Sequence, residues 1–204
     1  GKNSAFGQDA LKLNTTGVDN TSIGFKSLDA NTEGDSNTAV GKSAMGATTT
    51  GSNNAGLGAG ALGALTTGSQ NTAVGNSAGG GTTASNNTSV GYAAGTALTT
   101  GSHNVAVGHE ALNAATSESG QVAIGYQALA DVHTNGNNTA LGYKAGKGIT
   151  SGASNIAIGY EAFDKGTTGY DTIAIGNNCL DSGSAYTGYY NSFVGNSTAR
   201  NITS

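Results

Sequence analysis

A column of aromatic side chains is the feature of this sequence best suited to ligand chemistry. Five residues spaced 17 positions apart each directly follow a glycine: Tyr92, His109, Tyr126, Tyr143 and Tyr160. Aromatic faces suit the apolar faces of sugar rings, and the polar ring groups form hydrogen bonds. The same spacing fits an aromatic ladder that stabilises stacked strands or seals a joint between subunits. The sequence leaves both interpretations open, a candidate receptor-binding stripe and a structural ladder.

A second aromatic group lies near the end of the sequence, at Tyr170, Tyr186, Tyr189 and Tyr190. It accompanies an irregular final repeat, which we expect to form either a binding loop or a cap at the end of the fold. The residue types alone do not distinguish these two roles.

The sequence contains fragments of catalytic and cofactor motifs, but not the surrounding elements or partner residues that these motifs need. The string Gly58-x-Gly60-x-x-Gly63 satisfies the dinucleotide fingerprint, but the helix and downstream acidic residue that the fingerprint needs do not fit inside a 17-residue repeat. No Gly-x-Ser-x-Gly elbow has a partnered histidine and acid. We therefore expect a protein that is not an enzyme and holds no cofactor.

The residue types that bind metals do not recur in one position of the repeat. The 12 acidic residues form no column, and the glycine run that begins at Gly79 does not alternate with aspartate as calcium-binding rolls do. His103, His109 and His133 occupy different registers, which predicts surface histidines and no convergent cluster. We expect no metal site in a single chain.

Composition excludes two further classes of partner. Charged residues make up 10% of the 204 residues, the net charge is -4, and the 8 lysines and arginines are scattered, so no basic stripe follows a phosphate backbone. No apolar run approaches the roughly 18 residues of a membrane span. The sequence predicts binding neither to nucleic acid nor directly within a membrane. The single cysteine, Cys179, replaces an alanine of the repeat and is expected to be a buried thiol.

Glycine marks a repeat that must position these side chains. The steps between marker glycines are 17 residues, except for one of 16 and a last one of 19. The marker glycines are Gly7, Gly24, Gly41, Gly58, Gly75, Gly91, Gly108, Gly125, Gly142, Gly159, Gly176 and Gly195. A bulky apolar residue precedes each of them. A unit this short cannot bury a core alone, so the units must stack into a solenoid.

An asparagine column supports stacking independently of the glycines. Its members are Asn3, Asn20, Asn37, Asn54, Asn71, Asn87, Asn104, Asn138, Asn155 and Asn191, with Gln121 and Thr172 as exceptions. Stacked amides can form hydrogen bonds along a rod axis, and asparagine also tolerates the left-handed dihedrals of turns. Both roles are structural.

Each unit has room for two short strands and two turns. The first predicted strand ends at the marker glycine, and the second is centred on an Ala-Leu pair such as Ala111-Leu112. Parallel stacking at about 4.8 Å per unit gives a rod of roughly 55 Å. We therefore predict an all-β parallel β-roll of twelve coils, forming one domain over residues 1–204. The repeats run to about residue 180, and residues 181–204 form an irregular last coil or cap.

Strand alternation predicts which side chains are buried. The bulky residue before each glycine is expected to face the core, and the small residue before it, such as Ala39 or Ala73, to face outward. A small-residue face permits close approach of another chain. Because a three-fold axis along the rod lets identical units meet at every level, we predict a parallel homotrimer.

The repeated phrases resemble two families of fibrous proteins. Asn37-Thr38-Ala39-Val40-Gly41 and Gln121-Val122-Ala123-Ile124-Gly125 resemble the head repeats of trimeric autotransporter adhesins. The phrase Gly125-Tyr126-Gln127-Ala128-Leu129 is similar to arrays in phage tail fibres, and the regular Ala-Leu pair favours that version. The resemblance covers nearly the whole chain and implies a left-handed parallel β-roll in a homotrimer.

The resemblance also implies a function. We expect a structural or adhesive segment of an extracellular fibre, on a virion tail or a bacterial surface, that attaches to a glycan or protein receptor. The alternative is an ice-binding solenoid, because paired threonines recur, as at Thr99-Thr100 and Thr167-Thr168. Adjacent threonines cannot both point outward from one flat strand, which counts against that alternative.

Overall fold

A computed structural model describes residues 1–165, 168–181, 186–199 and 202. The described residues form one parallel sheet of strands that are each three residues long. The strands are β1 (Ser4–Phe6), β2 (Thr21–Ile23), β3 (Thr38–Val40), β4 (Ala55–Leu57), β5 (Thr72–Val74), β6 (Thr88–Val90), β7 (Val105–Val107), β8 (Val122–Ile124), β9 (Thr139–Leu141), β10 (Ile156–Ile158), β11 (Ile173–Ile175) and β12 (Ser192–Val194).

The strands follow one another in the sheet in the order of the sequence. Each strand pairs in parallel with the next, and the register stays constant across both irregular repeats, with Thr72 opposite Thr88 and Ile173 opposite Ser192. The chain therefore forms a β-solenoid of about 11 turns. The prediction of an all-β parallel solenoid is confirmed.

The marker glycines end the strands because no other residue fits there. Gly41 has a φ of 137°, which side chains disfavour, and an added Cβ would lie 2.5 Å from the carbonyl oxygen of Gly58 in the next coil. Consecutive coils therefore touch backbone to backbone at this corner. The same contact recurs at the other marker glycines up to Gly176.

The small-residue column faces the interior, so the predicted orientation of the strands is wrong. Ala39, Ala73, Ala106, Ala123, Ala140, Ala157 and Ala174 have no exposed surface. The bulky residue before the marker glycine points outward instead, and Leu141 is 48% exposed. The interior is too thin for two large side chains: an added Cβ at Gly56 would lie 2.9 Å from Cγ of Met45. From β1 to β11 this inward position holds only alanine, serine or glycine.

The predicted second strand is also wrong, because the Ala-Leu segment is a series of turns. Glu110 and Leu112 both have a φ of 54°, which breaks an extended strand. The Leu112 side chain is fully buried, and its N–H donates to the carbonyl of Ala128 at 2.9 Å. Burying a leucine contributes about 1.5–3 kcal/mol, which offsets a cost of about 1–2 kcal/mol for the left-handed conformation.

The asparagine column forms a ladder of side-chain-to-backbone hydrogen bonds. Oδ1 of Asn37 accepts the backbone N–H of Asn54 at 3.0 Å, and Nδ2 of Asn37 donates to the carbonyl of Gly51 at 2.8 Å. Gln121 continues the ladder by accepting from the N–H of Asn138 at 3.0 Å. Each amide thus satisfies buried backbone groups in two places, which explains why the position is polar although it is buried.

Aromatic packing marks the C-terminal end of the described core. In β12, Phe193 takes the position that alanine holds in most other strands, and its ring meets Tyr186 at 6.0 Å, edge to face. Tyr186 in turn meets Phe163 at 5.9 Å. Residues 182–185, 200–201 and 203–204 of the predicted last coil, and Thr167, lie outside the described residues. The described ranges contain no helix long and apolar enough to cross a membrane.

Candidate functional site

The five residues of the candidate stripe form one continuous stack on the outside of the chain. Ring centroids of Tyr92, His109, Tyr126, Tyr143 and Tyr160 are 5.0, 5.3, 5.1 and 5.0 Å apart in order. The planes of Tyr143 and Tyr160 are within 6° of parallel. Tyr92 is 54% exposed and Tyr143 is 39% exposed. The structure therefore brings together all five residues that the sequence singled out.

Stacking limits the chemistry that the stripe offers. Each interior ring has a neighbouring ring against both faces, so the ring edges and hydroxyl groups are what solvent reaches. Nζ of Lys144 lies 5.2 Å from the Tyr143 centroid, and interaction with Tyr143 raises the pKa of that lysine. The charge of Glu161 raises the pKa of Tyr160. The stripe is thus an aromatic edge with a cation beside it.

An apolar face adjoins the stripe. Because alanine points inward, the first and third residues of each strand point outward. In β7, β8, β10 and β11 both outward residues are valine or isoleucine, whereas β3, β5 and β6 have threonine at the first of these positions. Leu57, Val74 and Leu141 are 39–48% exposed in the single chain. The outer face of the sheet is therefore apolar along much of the rod, and most continuously in its C-terminal half.

A polar cleft of about 620 Å³ opens on the corner that precedes the strands. It lies between the coil of residues 117–120 and the coil of residues 133–137, with His103 on the preceding coil. Its lining residues are His103, Ser117, Glu118, Ser119, Gly120, His133, Thr134, Asn135, Gly136 and Asn137. The described residues lining it include no lysine or arginine, and the described chain contains no group of three metal-ligating side chains.

Glu118 interrupts the hydrogen bonds between coils beside the cleft. One coil earlier, the N–H groups of Thr99 and Thr100 donate to the carbonyl of Thr116, at 2.8 and 3.2 Å. The N–H groups of Thr116 and Ser117 donate instead to Oε2 of Glu118, at 2.5 and 3.0 Å. The carboxylate thus takes the place of the next coil's carbonyl for these two N–H groups, while the N–H of Asn137 still donates to the carbonyl of Ser119 at 3.2 Å.

A column of serine hydroxyls that accept backbone N–H groups also ends at the cleft. The hydroxyl of Ser119 accepts the N–H of Ser102 at 3.0 Å, and equivalent serine bonds run along the rod before it. Gly136 comes next and has no side chain to continue the column. Nδ2 of Asn135 donates to the hydroxyl of Tyr170 at 3.0 Å, two coils further along. Beyond the cleft the same column continues through Ala153 to Tyr170 and Tyr189.

Sequence reasoning missed this grouping. His103 and His133 line the same cleft although they occupy different registers, and all three histidines are exposed, as the sequence predicts. Two signals were present in the sequence. Glu118 stands where the preceding coil has Gly101, and Gly136 stands where earlier coils have serine. Both are departures from the repeat, and a search for regular columns passes over them.

The threonine pairs of the alternative function lie in turns and not in strands. Thr99 and Thr100 are both exposed, but the hydroxyl of Thr99 donates to the carbonyl of Thr116 at 3.0 Å. The hydroxyl of Thr49 makes the equivalent bond to Thr66 at 3.2 Å. In these pairs, therefore, one hydroxyl already donates a hydrogen bond to the backbone of the next coil.

The chain was also compared with known proteins. No family model matches it, and neither curated proteins nor solved structures yield a match. The case for a function therefore rests on the stripe, the outer face and the cleft of this chain.

Proposed function

We propose that this chain is a structural and adhesive segment of an extracellular fibre, built as a parallel homotrimer, and that it is not an enzyme. The observation that carries the proposal is the apolar outer face, which follows the rod over many coils and is half-buried to exposed in the single chain. Isolated apolar side chains on a surface need no explanation, but a continuous exposed apolar face is typical of an interaction site.

Self-association explains this face better than a different partner does. The face repeats at every coil, so a partner that matches it must repeat with the same spacing, and a second copy of the chain does so. Parallel copies around a three-fold axis place like residues at the same level along the rod. The outward valines and isoleucines would then form the centre of the joint, in place of the alanines that the sequence first suggested.

The aromatic stripe fits the same assembly. It lies directly after the marker glycines and so borders the apolar face along β6 to β10. Aromatic residues are enriched at protein interfaces because they combine a large apolar surface with a polar edge. We therefore favour the stripe as a stacked ladder at the margin of the subunit joint. Direct binding of a receptor by Tyr92, His109, Tyr126, Tyr143 and Tyr160 is the competing role.

The resemblance to phage tail fibres and autotransporter heads supports the remaining parts of the proposal. These are a left-handed roll, a location on a virion tail or bacterial surface, and attachment to a surface glycan or protein. The low charge and the scattered basic residues argue against nucleic acid as a partner.

Assembly is tested by multi-angle light scattering on the purified chain. We expect a mass three times the 19.8 kDa of the single chain at micromolar concentration. A stable monomer at that concentration would contradict the proposal. Attachment is tested separately, by adhesion of the fluorescently labelled protein to a panel of bacterial cells.

An ice-binding solenoid is the alternative, favoured by the exposed threonines at Thr82, Thr83, Thr99 and Thr100. A thermal-hysteresis assay separates the two functions. Our proposal predicts no depression of the freezing point beyond that of a control protein at equal concentration.

A further inference from the structure

The cleft beside Glu118 is a second place on this chain where a ligand fits, apart from the stripe and the outer face. Its walls combine a carboxylate, two imidazoles, two amides and several hydroxyls. The Glu118 side chain is 5% exposed and is fixed by the N–H groups of Thr116 and Ser117. Its other oxygen, Oε1, accepts no hydrogen bond from the described residues. A fixed acceptor is therefore available at the cleft before any ligand arrives.

The charge of the cleft restricts the class of ligand. With Glu118 present and no lysine or arginine among the described lining residues, the cleft disfavours phosphate, sulfate and carboxylate groups. Its polar walls also offer little to an apolar ligand, which would leave their hydrogen-bonding groups unsatisfied. Closely spaced donors and acceptors of this kind instead match a ligand rich in neutral hydroxyl groups.

An aromatic pair lies along the same column of the rod. Tyr170, which bonds to Asn135 in the cleft wall, stacks on Tyr189 with centroids 5.4 Å apart and planes within 7°. Tyr189 is 60% exposed, and its second face stacks on no ring among the described residues. Three coil steps separate Gly136 from Tyr189, a distance of about 14 Å. The pair therefore offers an apolar platform within reach of an extended ligand in the cleft.

We propose that the cleft and the Tyr170–Tyr189 pair together bind a neutral oligosaccharide. The cleft holds the hydroxyl groups of one end through Glu118, His133 and Asn137, and a later sugar ring packs against the exposed face of Tyr189. The separation of the two parts selects a chain of several sugars over a single one. This inference rests on the proposed attachment function and names the receptor class and the site for it.

The test uses the purified, assembled protein and four probes of defined structure. Chitotetraose, cellotetraose and mannotetraose are the neutral probes, and 3′-sialyllactose is the anionic one. Binding is measured by saturation-transfer NMR and by titration. We expect at least one neutral tetrasaccharide to bind and sialyllactose not to bind. Absence of binding by all three neutral probes, or equal binding of the anionic probe, overturns the inference.

Three substitutions locate the site. We expect Glu118→Gln, His133→Ala and Tyr189→Ala each to weaken binding of the neutral probe at least tenfold. Phe25→Ala is the matched control, because Phe25 is 41% exposed and lies outside the cleft, the Tyr170–Tyr189 pair and the stacked stripe, and it should bind as the parent does. Circular dichroism identifies any variant that has lost its fold. Unchanged affinity in the folded variants, or equal loss in Phe25→Ala, contradicts the proposed site.

Failure of the glycan-site inference can be distinguished from failure of the proposed fibre function. Light scattering on the same variants reports assembly, and adhesion of the labelled protein to bacterial cells reports attachment. Variants of the cleft that assemble and adhere like the parent overturn the glycan site alone, and indicate a protein receptor or a different surface. A monomeric parent protein contradicts the fibre proposal whatever the cleft binds.

Discussion

Oδ1 of Asn54 accepts the backbone N–H of Asn71, one coil further along, at 2.9 Å. Nδ2 of the same Asn54 donates to the carbonyl of Gly68 at 2.9 Å. One buried side chain thus closes its own coil and ties that coil to the next. Repeated along the column, this arrangement adds to the backbone bonds between coils at this corner, such as the bond from the N–H of Ala55 to the carbonyl of Asn71 at 2.8 Å.

Replacing Asn54 by alanine should therefore destabilise the rod substantially. The change leaves the N–H of Asn71 and the carbonyl of Gly68 buried without partners, at about 1–3 kcal/mol for each group. We expect a loss of about 2–4 kcal/mol in the free energy of unfolding, measured by chemical denaturation. Asn76→Ala is the control, because Asn76 is exposed and outside the column. Equal effects of the two changes would contradict a structural role for the ladder.

Replacing Gly41 by alanine tests the close approach of coils at the marker glycines. The φ of 137° and the carbonyl oxygen of Gly58, 2.5 Å from the new Cβ, both oppose the change. We expect a loss of about 3 kcal/mol or more, and a lowered melting temperature. Gly46→Ala is the matched control five residues away, where the nearest atom lies 3.3 Å from the added Cβ. Tolerance of alanine at position 41 would show that neighbouring coils can separate there.

In the aromatic stripe, the loss of stability on replacing a tyrosine by alanine should depend on its position in the stack. Tyr126 stacks against His109 and Tyr143, whereas Tyr160 stacks only against Tyr143 among the described rings. At about 0.5–1.5 kcal/mol per stacked pair, Tyr126→Ala should cost about 1–3 kcal/mol of stability and Tyr160→Ala about half as much. Denaturation curves of the two variants measure the difference. If neither variant loses stability while cell adhesion falls, the stripe binds the receptor directly.

A charge on the apolar face should prevent assembly. Ile158 points outward from the last position of β10, between Leu141 and Ile175 in the neighbouring strands. We expect Ile158→Glu to leave the solenoid folded and to shift the mass from trimer to monomer, because three carboxylates would be buried close together at one level. Thr50→Glu, at an exposed turn, is the control and should remain trimeric. A trimeric Ile158→Glu protein would place the joint elsewhere.

Asp164 predicts a dependence of stability on pH. Partial burial, and then the charge of Glu161, raise the pKa of Asp164 above its ordinary value. The folded state then holds the proton more tightly than the unfolded state, so stability from this group is greatest at low pH and falls as pH rises through the raised pKa. Asp164→Asn should therefore give a small gain in stability at pH 7 and none near pH 3. Denaturation at both pH values measures it, and an equal change at both would exclude ionisation as the cause.

Periodicity made much of the fold predictable. A residue that recurs every 17 positions must stack on its equivalents once the coils are in register, so the parallel sheet and the Tyr92–Tyr160 stripe follow from spacing alone. The orientation of the strands does not follow from spacing. Alternation says that Ala39 and Val40 face opposite ways, but not which of them faces inward.

The cleft was beyond prediction for a different reason. Glu118 looks like one more polar residue in a polar turn, and only the folded chain shows its carboxylate receiving the N–H groups of Thr116 and Ser117. The prediction of a second strand was wrong because the left-handed conformation of Leu112 depends on burial of its side chain. Local propensity does not report that burial.

The sequence by itself determined that this protein is a stack of equivalent coils, because regular spacing of glycine, asparagine and apolar residues leaves the chain no other way to bury its apolar side chains. The tertiary structure decided which face is inside and which is left for partners. The thin interior admits alanine opposite leucine or methionine, and so it turns valine, isoleucine and the aromatic stripe outward.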